Sequence, residues 1–172
     1  MLKSNSIIFN DKSQRLIESK LHIKKFQTVS KGFTPREQVI EVVNKLFVYT
    51  DKRAWNKIID EVFTELVLFD MSSAGGDEAA FLSSKEICNN WDHGLSDIDA
   101  LHHQAGNYLV KIDDAEATVE AYAIAIHFKK KAVNGNTREF VGSYELSLSN
   151  VQDKGWRIKS FKYNLKFMDG NV

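Results

Sequence analysis

The sequence predicts an α+β fold, with helices in the first half of the domain and an antiparallel sheet in the second. Between residues 34 and 63, apolar residues recur at the three-to-four-residue spacing of amphipathic helices. From about residue 100 the apolar period changes to two, and turn residues separate four long alternating segments. Because no helix separates these strands, the order indicates segregated helices and sheet rather than a parallel α/β sheet.

Composition limits the classes of function. The chain has 172 residues, 43% of them apolar, which suits a single core. It has 23 basic and 23 acidic side chains, so no net field favours nucleic acid or an anionic membrane surface. The single cysteine, Cys88, excludes an internal disulfide and a metal site built from several cysteines. No apolar stretch reaches membrane-spanning length and no secretory signal is visible, so a cytoplasmic location is expected.

The charges are distributed unevenly along the chain. Residues 1–31 contain seven basic residues and two acidic ones. Their apolar residues follow no clear period, and the basic residues are dispersed among them, unlike a nucleic-acid-binding arm. We therefore predict a basic N-terminal extension over residues 1–31 and a folded domain over residues 32–172.

The first helix has a clear start signal. Thr34 can cap the helix, Pro35 suits its first position, and Glu37 completes a capping box. Asp51 is interpreted as the cap of a second helix, whose apolar side carries Trp55. Other apolar residues of that side are Ile58, Ile59, Val62 and Phe63.

A short strand and a third helix follow. Leu66–Phe69 is predicted to be a strand, and Ser72–Asp77 a loop. A second capping box, formed by Ser83 and Glu86, predicts a short helix that carries Trp91.

The remaining residues form the predicted sheet. Its four strands are Ala100–Ile112, Ala117–Lys130, Glu139–Val151 and Trp156–Phe167. One face of the second strand consists of small residues and ends in His127. Small side chains cannot fill a core alone, so this face indicates either close helix packing or a cavity.

The third strand points Tyr144 inward, where its hydroxyl needs a partner. Whether His103 shares a face with His127 depends on the preceding hairpin. An odd loop, which pairs Asp113 with Ala117, places both histidines on one face. An even loop is expected to place them on opposite faces.

The other face of the sheet is apolar enough to predict a homo-oligomer, a dimer or a trimer. This face of the second strand carries Tyr122, Ile124 and Ile126. Three such apolar side chains in a row on one face are unusual on a surface exposed to water. Phe161, Tyr163 and Leu165 of the last strand are also expected on this outer face.

The element order and three segments resemble the SnoaL-like family of the nuclear transport factor 2-like superfamily. The segments are residues 51–55 (Asp-Lys-Arg-Ala-Trp), 103–107 (His-Gln-Ala-Gly-Asn) and 155–158 (Gly-Trp-Arg-Ile). The resemblance spans Thr34 to Phe167. It implies a cone-shaped curved antiparallel sheet wrapped on the helices around a deep apolar pocket, as in scytalone dehydratase-like and hexachlorocyclohexane dehydrochlorinase-like members.

These members use a catalytic dyad of aspartate and histidine, and the resemblance assigns it here. Asp51, four residues before Trp55, matches the dyad aspartate, and His103, four residues before Asn107, matches the histidine. His127 lies near the position of a second histidine of the family dehydratase.

The resemblance and the strand pattern also predict residues of a substrate pocket. The family dehydratase has a tyrosine directly before its aspartate, where this chain has Thr50 with Tyr49 one residue earlier. Met71 occupies about the position at which the dehydratase has another tyrosine. Trp91 and Tyr144 complete the predicted pocket, and Trp91 suits a core position equally well.

Two functions remain open at this point. An aspartate that orients a histidine makes a general base, which predicts a lyase or isomerase without metal or cofactor for a small, apolar, cyclic substrate. The histidines lack the close spacing of a metal site. The alternative is a non-catalytic ligand-binding or subunit-association module of the same fold.

Overall fold

The computed structural model describes residues 32–170, and the predicted extension over residues 1–31 lies outside them. Within the described part of the chain there are three α-helices, which are α1 (Pro35–Asp51), α2 (Trp55–Glu61) and α3 (Ser84–Gly94). Both predicted capping boxes form, at Thr34 before α1 and at Ser83 before α3. A 3₁₀ turn, Ser72–Ala74, lies between α2 and α3. No helix of the described residues is long and apolar enough to cross a membrane.

Six strands form one curved, open sheet with the order β2-β1-β6-β5-β4-β3. The strands are β1 (Phe63–Asp70), β2 (Ala80–Ser83), β3 (Ala100–Asp113), β4 (Glu116–Phe128), β5 (Thr137–Val151) and β6 (Gly155–Gly170). The fold class is α+β, as predicted. The sheet is mixed rather than purely antiparallel, because β1 pairs with β6 in parallel. A helix and the whole meander separate these two strands in the chain, so no hairpin fixes their relative direction.

Asp51 does not cap the second helix, and that prediction is wrong. It is the last residue of α1, and α2 begins after Ala54, which makes no side-chain cap. The Asp51 carboxylate is already occupied by hydrogen bonds from His103, so it does not reach the free amides of α2. The residue that the sequence indicated as a helix cap, Asp51, is instead the hydrogen-bond partner of His103.

The small-residue face of β4 lies against the helices in the core. Ala117, Val119, Ala121 and Ala123 are buried in the same cluster as Val43. Other members of this cluster, from α1, α2 and β6, include Val39, Leu46, Ile58, Trp156 and Ile158. Part of the face packs closely on helix α1, and the part near His127 borders a cavity.

Phe161, Tyr163 and Leu165 do not lie on the outer face, contrary to the sequence prediction. Phe161 and Tyr163 are buried with Trp156 and Ile158 on the inner side, and Leu165 packs against the same core. The register between β5 and β6 shifts between Ile158 and Ser160, which are opposite the adjacent residues Leu148 and Ser147. This extra residue forms a β-bulge, which reverses the alternation along β6. Phe161 and Tyr163 therefore lie on the inner face, whereas strict alternation from Ile158 would place them on the outer face.

Candidate active site

The candidate site is built around a carboxylate that makes two hydrogen bonds to one histidine. Asp51 ends α1, and His103 lies on β3. The backbone amide of His103 donates to Oδ2 of Asp51 at 3.0 Å, and Nδ1 of its ring lies 2.6 Å from Oδ1. A carboxylate can only accept, so Nδ1 carries the proton and Nε2 keeps a free lone pair. The double contact fixes both the ring orientation and its tautomer.

The Asp51 carboxyl is held in its ionised form. Burial acts to raise its pKa, but the hydrogen bonds from the ring and the amide of His103 outweigh burial and lower the pKa below its usual value. Phe47, one helical turn before Asp51, stacks on the His103 ring with a centroid distance of 5.4 Å. The imidazole is thus held by a carboxylate at one edge and by an aromatic ring on one face.

His103 and His127 share a face of the sheet because of a bulge in β3. The β3–β4 turn is even, with Asp113 opposite Glu116, and would alone place the two histidines on opposite faces. Between Gly106 and Leu109 of β3 there is one more residue than between their partners on β4. That insertion restores the parity, so His103 pairs with Ala125, and His127 follows two residues later on the same side.

His127 is an uncharged imidazole at neutral pH. Burial is the main cause that lowers its pKa to about 4, and the positive charges of protonated His103 and of Arg138 act in the same direction. Its ring lies 4.8 Å from that of Phe140, measured between centroids. Arg138 faces it across the β4–β5 ladder. A neutral imidazole has one donor and one acceptor, so His127 can accept a hydrogen bond as well as donate one, whereas the protonated ring can only donate.

These histidines line a cavity of about 610 Å³, a volume typical of small-molecule sites. A cluster of aromatic rings forms part of its wall, where Phe69, Trp91 and Phe161 contact one another at centroid distances of 4.9 to 5.9 Å. Further lining residues are Leu46, Phe47, Thr50, Met71, Leu82, Ile87 and Leu95. His103, His127 and Tyr144 thus lie among many apolar side chains, and Asn90, Asp77 and Glu78 add polar groups to the lining.

Tyr144 also lines the cavity and keeps its phenolic proton. It packs against Phe47 and Phe161 at centroid distances of 5.0 and 5.5 Å. Burial raises the pKa of its hydroxyl far above the usual value, and the charge on Asp51 adds to the effect. Tyr144 is therefore a neutral hydrogen-bond donor at any physiological pH.

Most residues that the sequence singled out come together here. His103, His127, Met71, Trp91 and Tyr144 line the cavity, and Asp51 contacts it through His103. Their roles in binding or catalysis stay predictions.

Tyr49 is the exception among the predicted pocket residues, and the structure places it elsewhere. Its hydroxyl donates to Glu61 of α2 at 3.0 Å, and it is not among the residues that line the cavity. One residue along a helix turns the side chain by about 100°, so Thr50 faces the cavity instead. The prediction of Tyr49 as a pocket residue is therefore corrected.

Sequence reasoning missed Phe47, Phe161 and the loop from Ala74 to Glu78 as parts of the cavity wall. Phe47 carried a usable signal, because it lies four residues before Asp51 and so on the same side of α1. Phe161 and the loop carried none, since a bulge and an irregular segment place them. Among the described residues, no group of three or more histidine, cysteine or carboxylate side chains is arranged to hold a metal ion.

Comparison with known proteins assigns the fold. Residues 33–162 match the sequence profile of the SnoaL-like domain. No curated protein matches the chain in sequence. Among solved structures, the Kfla4162 protein from Kribbella flavida superposes with a TM-score of 0.73 at 20% identity, covering 78% of this chain and 93% of the other.

Two further structures carry enzyme names. A candidate scytalone dehydratase from Novosphingobium aromaticivorans superposes with a TM-score of 0.64 at 14% identity, covering 92% of this chain and 90% of its own. A type 2 hexachlorocyclohexane dehydrochlorinase gives 0.60 at 8% identity and covers 93% of each chain. At these identities the likeness concerns the fold.

Proposed function

The chain belongs to the SnoaL-like domain family, and on that premise we propose that it is a cofactor-independent lyase or isomerase. Its substrate is a small, apolar, cyclic compound. The observation that carries the proposal is the pair of hydrogen bonds between Asp51 and His103 at the wall of an apolar cavity.

His103 is the general base. With its proton fixed on Nδ1 by Asp51, Nε2 can accept a proton from a carbon next to a carbonyl or a leaving group. The Asp51 carboxylate, which the lowered pKa keeps ionised, stabilises the imidazolium that forms. Such a positioned base contributes about 10²- to 10⁴-fold to a rate and requires only the two side chains.

Two neutral donors line the same cavity and suit the second half of the reaction. The Tyr144 hydroxyl, whose raised pKa keeps it protonated, can donate to a developing enolate oxygen. His127, neutral because its pKa is lowered to about 4, can donate the same kind of hydrogen bond. Donors fixed in an apolar site stabilise a developing oxyanion without reorganisation.

Deuterium exchange tests proton abstraction without knowledge of the natural substrate. The full chain is incubated in D₂O with uncharged cyclic ketones, such as 1-indanone and α-tetralone, and loss of the α-proton signals is followed by NMR. We expect His103→Gln to slow the catalysed exchange by about 10²- to 10⁴-fold, because the variant lacks the base.

The neighbouring histidine provides a matched control. His102 is exposed and, one residue along β3, points to the opposite side of the sheet. His102→Gln should exchange at the wild-type rate. If His103→Gln also exchanged at the wild-type rate, the assignment of His103 as the base would be wrong. If a ketone bound to the wild type but its α-protons did not exchange, the result would favour a non-catalytic ligand-binding module.

A second candidate function, subunit association, is favoured by the outer face of the sheet. Tyr122 and Ile124 are 50% and 39% exposed there, which is unusual for adjacent apolar residues of one strand face. This role is compatible with catalysis, since the outer face and the cavity lie on opposite sides of the sheet.

A further inference from the structure

Among the described residues, the charged side chains on the exposed rim of the cavity, which we call its entrance, are both acidic. The loop after the 3₁₀ turn contributes Asp77 and Glu78, both exposed and both lining the cavity. Of the residues that the structure describes, no lysine or arginine lines the cavity. Within residues 32–170, neither carboxylate has an ion-pair partner. A ligand that enters past this loop therefore meets two negative charges that no cation among the described residues offsets.

Within residues 32–170, the inner end of the cavity adds no cation that could pair with a bound anion. Asp51 carries the charge of the dyad, and His127 is neutral because of its low pKa. Arg138 lies opposite His127 on β5, but it does not line the cavity. An anion would thus be buried among aromatic rings and near a carboxylate, where desolvation is costly.

We infer that this cavity selects uncharged ligands and excludes anions, with Asp77 and Glu78 as the residues that set this specificity. The inference rests on the proposed function, since it concerns the ligand of the same site, and it narrows the substrate class. Neutral ketones, alcohols and similar ring compounds are admitted, whereas carboxylates, phosphates and sulfates are not. The entrance carboxylates act at a distance, by lowering the local concentration and the affinity of anions.

A pair of probes that differ mainly in charge tests the inference. Binding of 1-naphthol, uncharged at pH 7, and of 1-naphthoate to the full chain is measured by calorimetry in buffer of about 10 mM ionic strength, where screening is weak. We expect the wild type to bind 1-naphthol at least tenfold more tightly. The double variant Asp77→Asn/Glu78→Gln should bind 1-naphthoate about three- to tenfold more tightly than the wild type does, with 1-naphthol affinity unchanged.

The control variant removes the same amount of charge elsewhere. Glu120→Gln/Asp153→Asn changes two exposed carboxylates on β4 and in the β5–β6 turn, outside the cavity lining, and should leave both affinities as in the wild type. Tight binding of 1-naphthoate to the wild type, or an equal gain in both double variants, would overturn the inference. Because binding and deuterium exchange are separate readouts, a cavity that discriminates charge but transfers no proton would refute the proposed function alone.

Discussion

At the scale of single residues, the site depends on which groups are charged. Asp51 is kept ionised by His103, whereas His127 and Tyr144 are kept neutral by burial. The cavity wall thus combines one ionised carboxylate, behind His103, with two side chains that are neutral at pH 7, and a carboxylate beside neutral donors is a combination that suits acid–base chemistry. The residue types could be read from the sequence, but their protonation depends on burial, which only the packed structure supplies.

The lowered pKa of His127 predicts a pH-dependent stability. Between its ordinary value of 6.5 and about 4, the unfolded chain binds a proton that the folded chain does not, so folding stability falls as the pH falls through this window. When the pH is lowered from 7 to 4.5, the free energy of unfolding should fall in both proteins. We expect the fall to be about 2 kcal/mol smaller in His127→Gln than in the wild type. Urea denaturation at both pH values measures the difference.

Asp51 does not obscure this measurement. Its lowered pKa gives stability that is present above the ordinary carboxyl range and is lost only as the pH falls through the lower, folded-state value. Equal losses of stability in the wild type and in His127→Gln would contradict the assignment of a buried neutral imidazole.

At the scale of elements, bulges decide which side chains reach the site. The insertion in β3 brings His103 to the face of His127, and the one in β6 brings Phe161 into the cavity wall. Alternation predicted the inner face of β4 and Tyr144 on β5, where the ladder is regular. It failed on β6 and left β3 open, since a one-residue insertion reverses every side chain beyond it and leaves little trace in the apolar pattern.

Asn107 in the β3 bulge is a position where this can be tested. Its φ is +57°, a left-handed conformation that asparagine and glycine adopt more easily than other residues. We expect Asn107→Val to lower the free energy of unfolding by about 1 to 3 kcal/mol, because a β-branched residue is strained there. Asn107→Gly is the matched control and should stay within about 0.5 kcal/mol of the wild type.

Chemical denaturation of both variants gives these values. The bulge residue would be of no conformational importance if valine and glycine were tolerated equally. In that case the shared face of the two histidines would need another explanation.

At the scale of the whole molecule, the family fold accounts for both faces of the sheet. The helices and cavity cover the inner face, while the outer face retains exposed apolar residues. These include Leu109, Tyr122, Ile124 and Phe167. The sequence predicted the order of helices and long strands, since capping boxes and alternating runs are local signals. It did not predict β2 or the parallel pairing of β1 with β6, which are set by contacts distant in the chain.

We propose that the outer face binds a second copy of the chain. Light scattering of the full chain at about 10 μM should give a closed oligomer, a dimer or a trimer, since apolar area of this kind is normally covered. Ile124→Glu should shift the protein toward the monomer, while Glu120→Gln on the same strand should not. A monomeric wild type at this concentration would contradict the proposal.

We propose that Asp51 and His103 act as one catalytic unit, and a double-mutant cycle on the α-proton exchange rate tests this most directly. The rates of the wild type, Asp51→Asn, His103→Gln and the double variant are compared with 1-indanone in D₂O. Because Asp51 works only through His103, we expect the double variant to be no slower than His103→Gln alone. Losses that multiply in the double variant, as for two independent residues, would contradict the account.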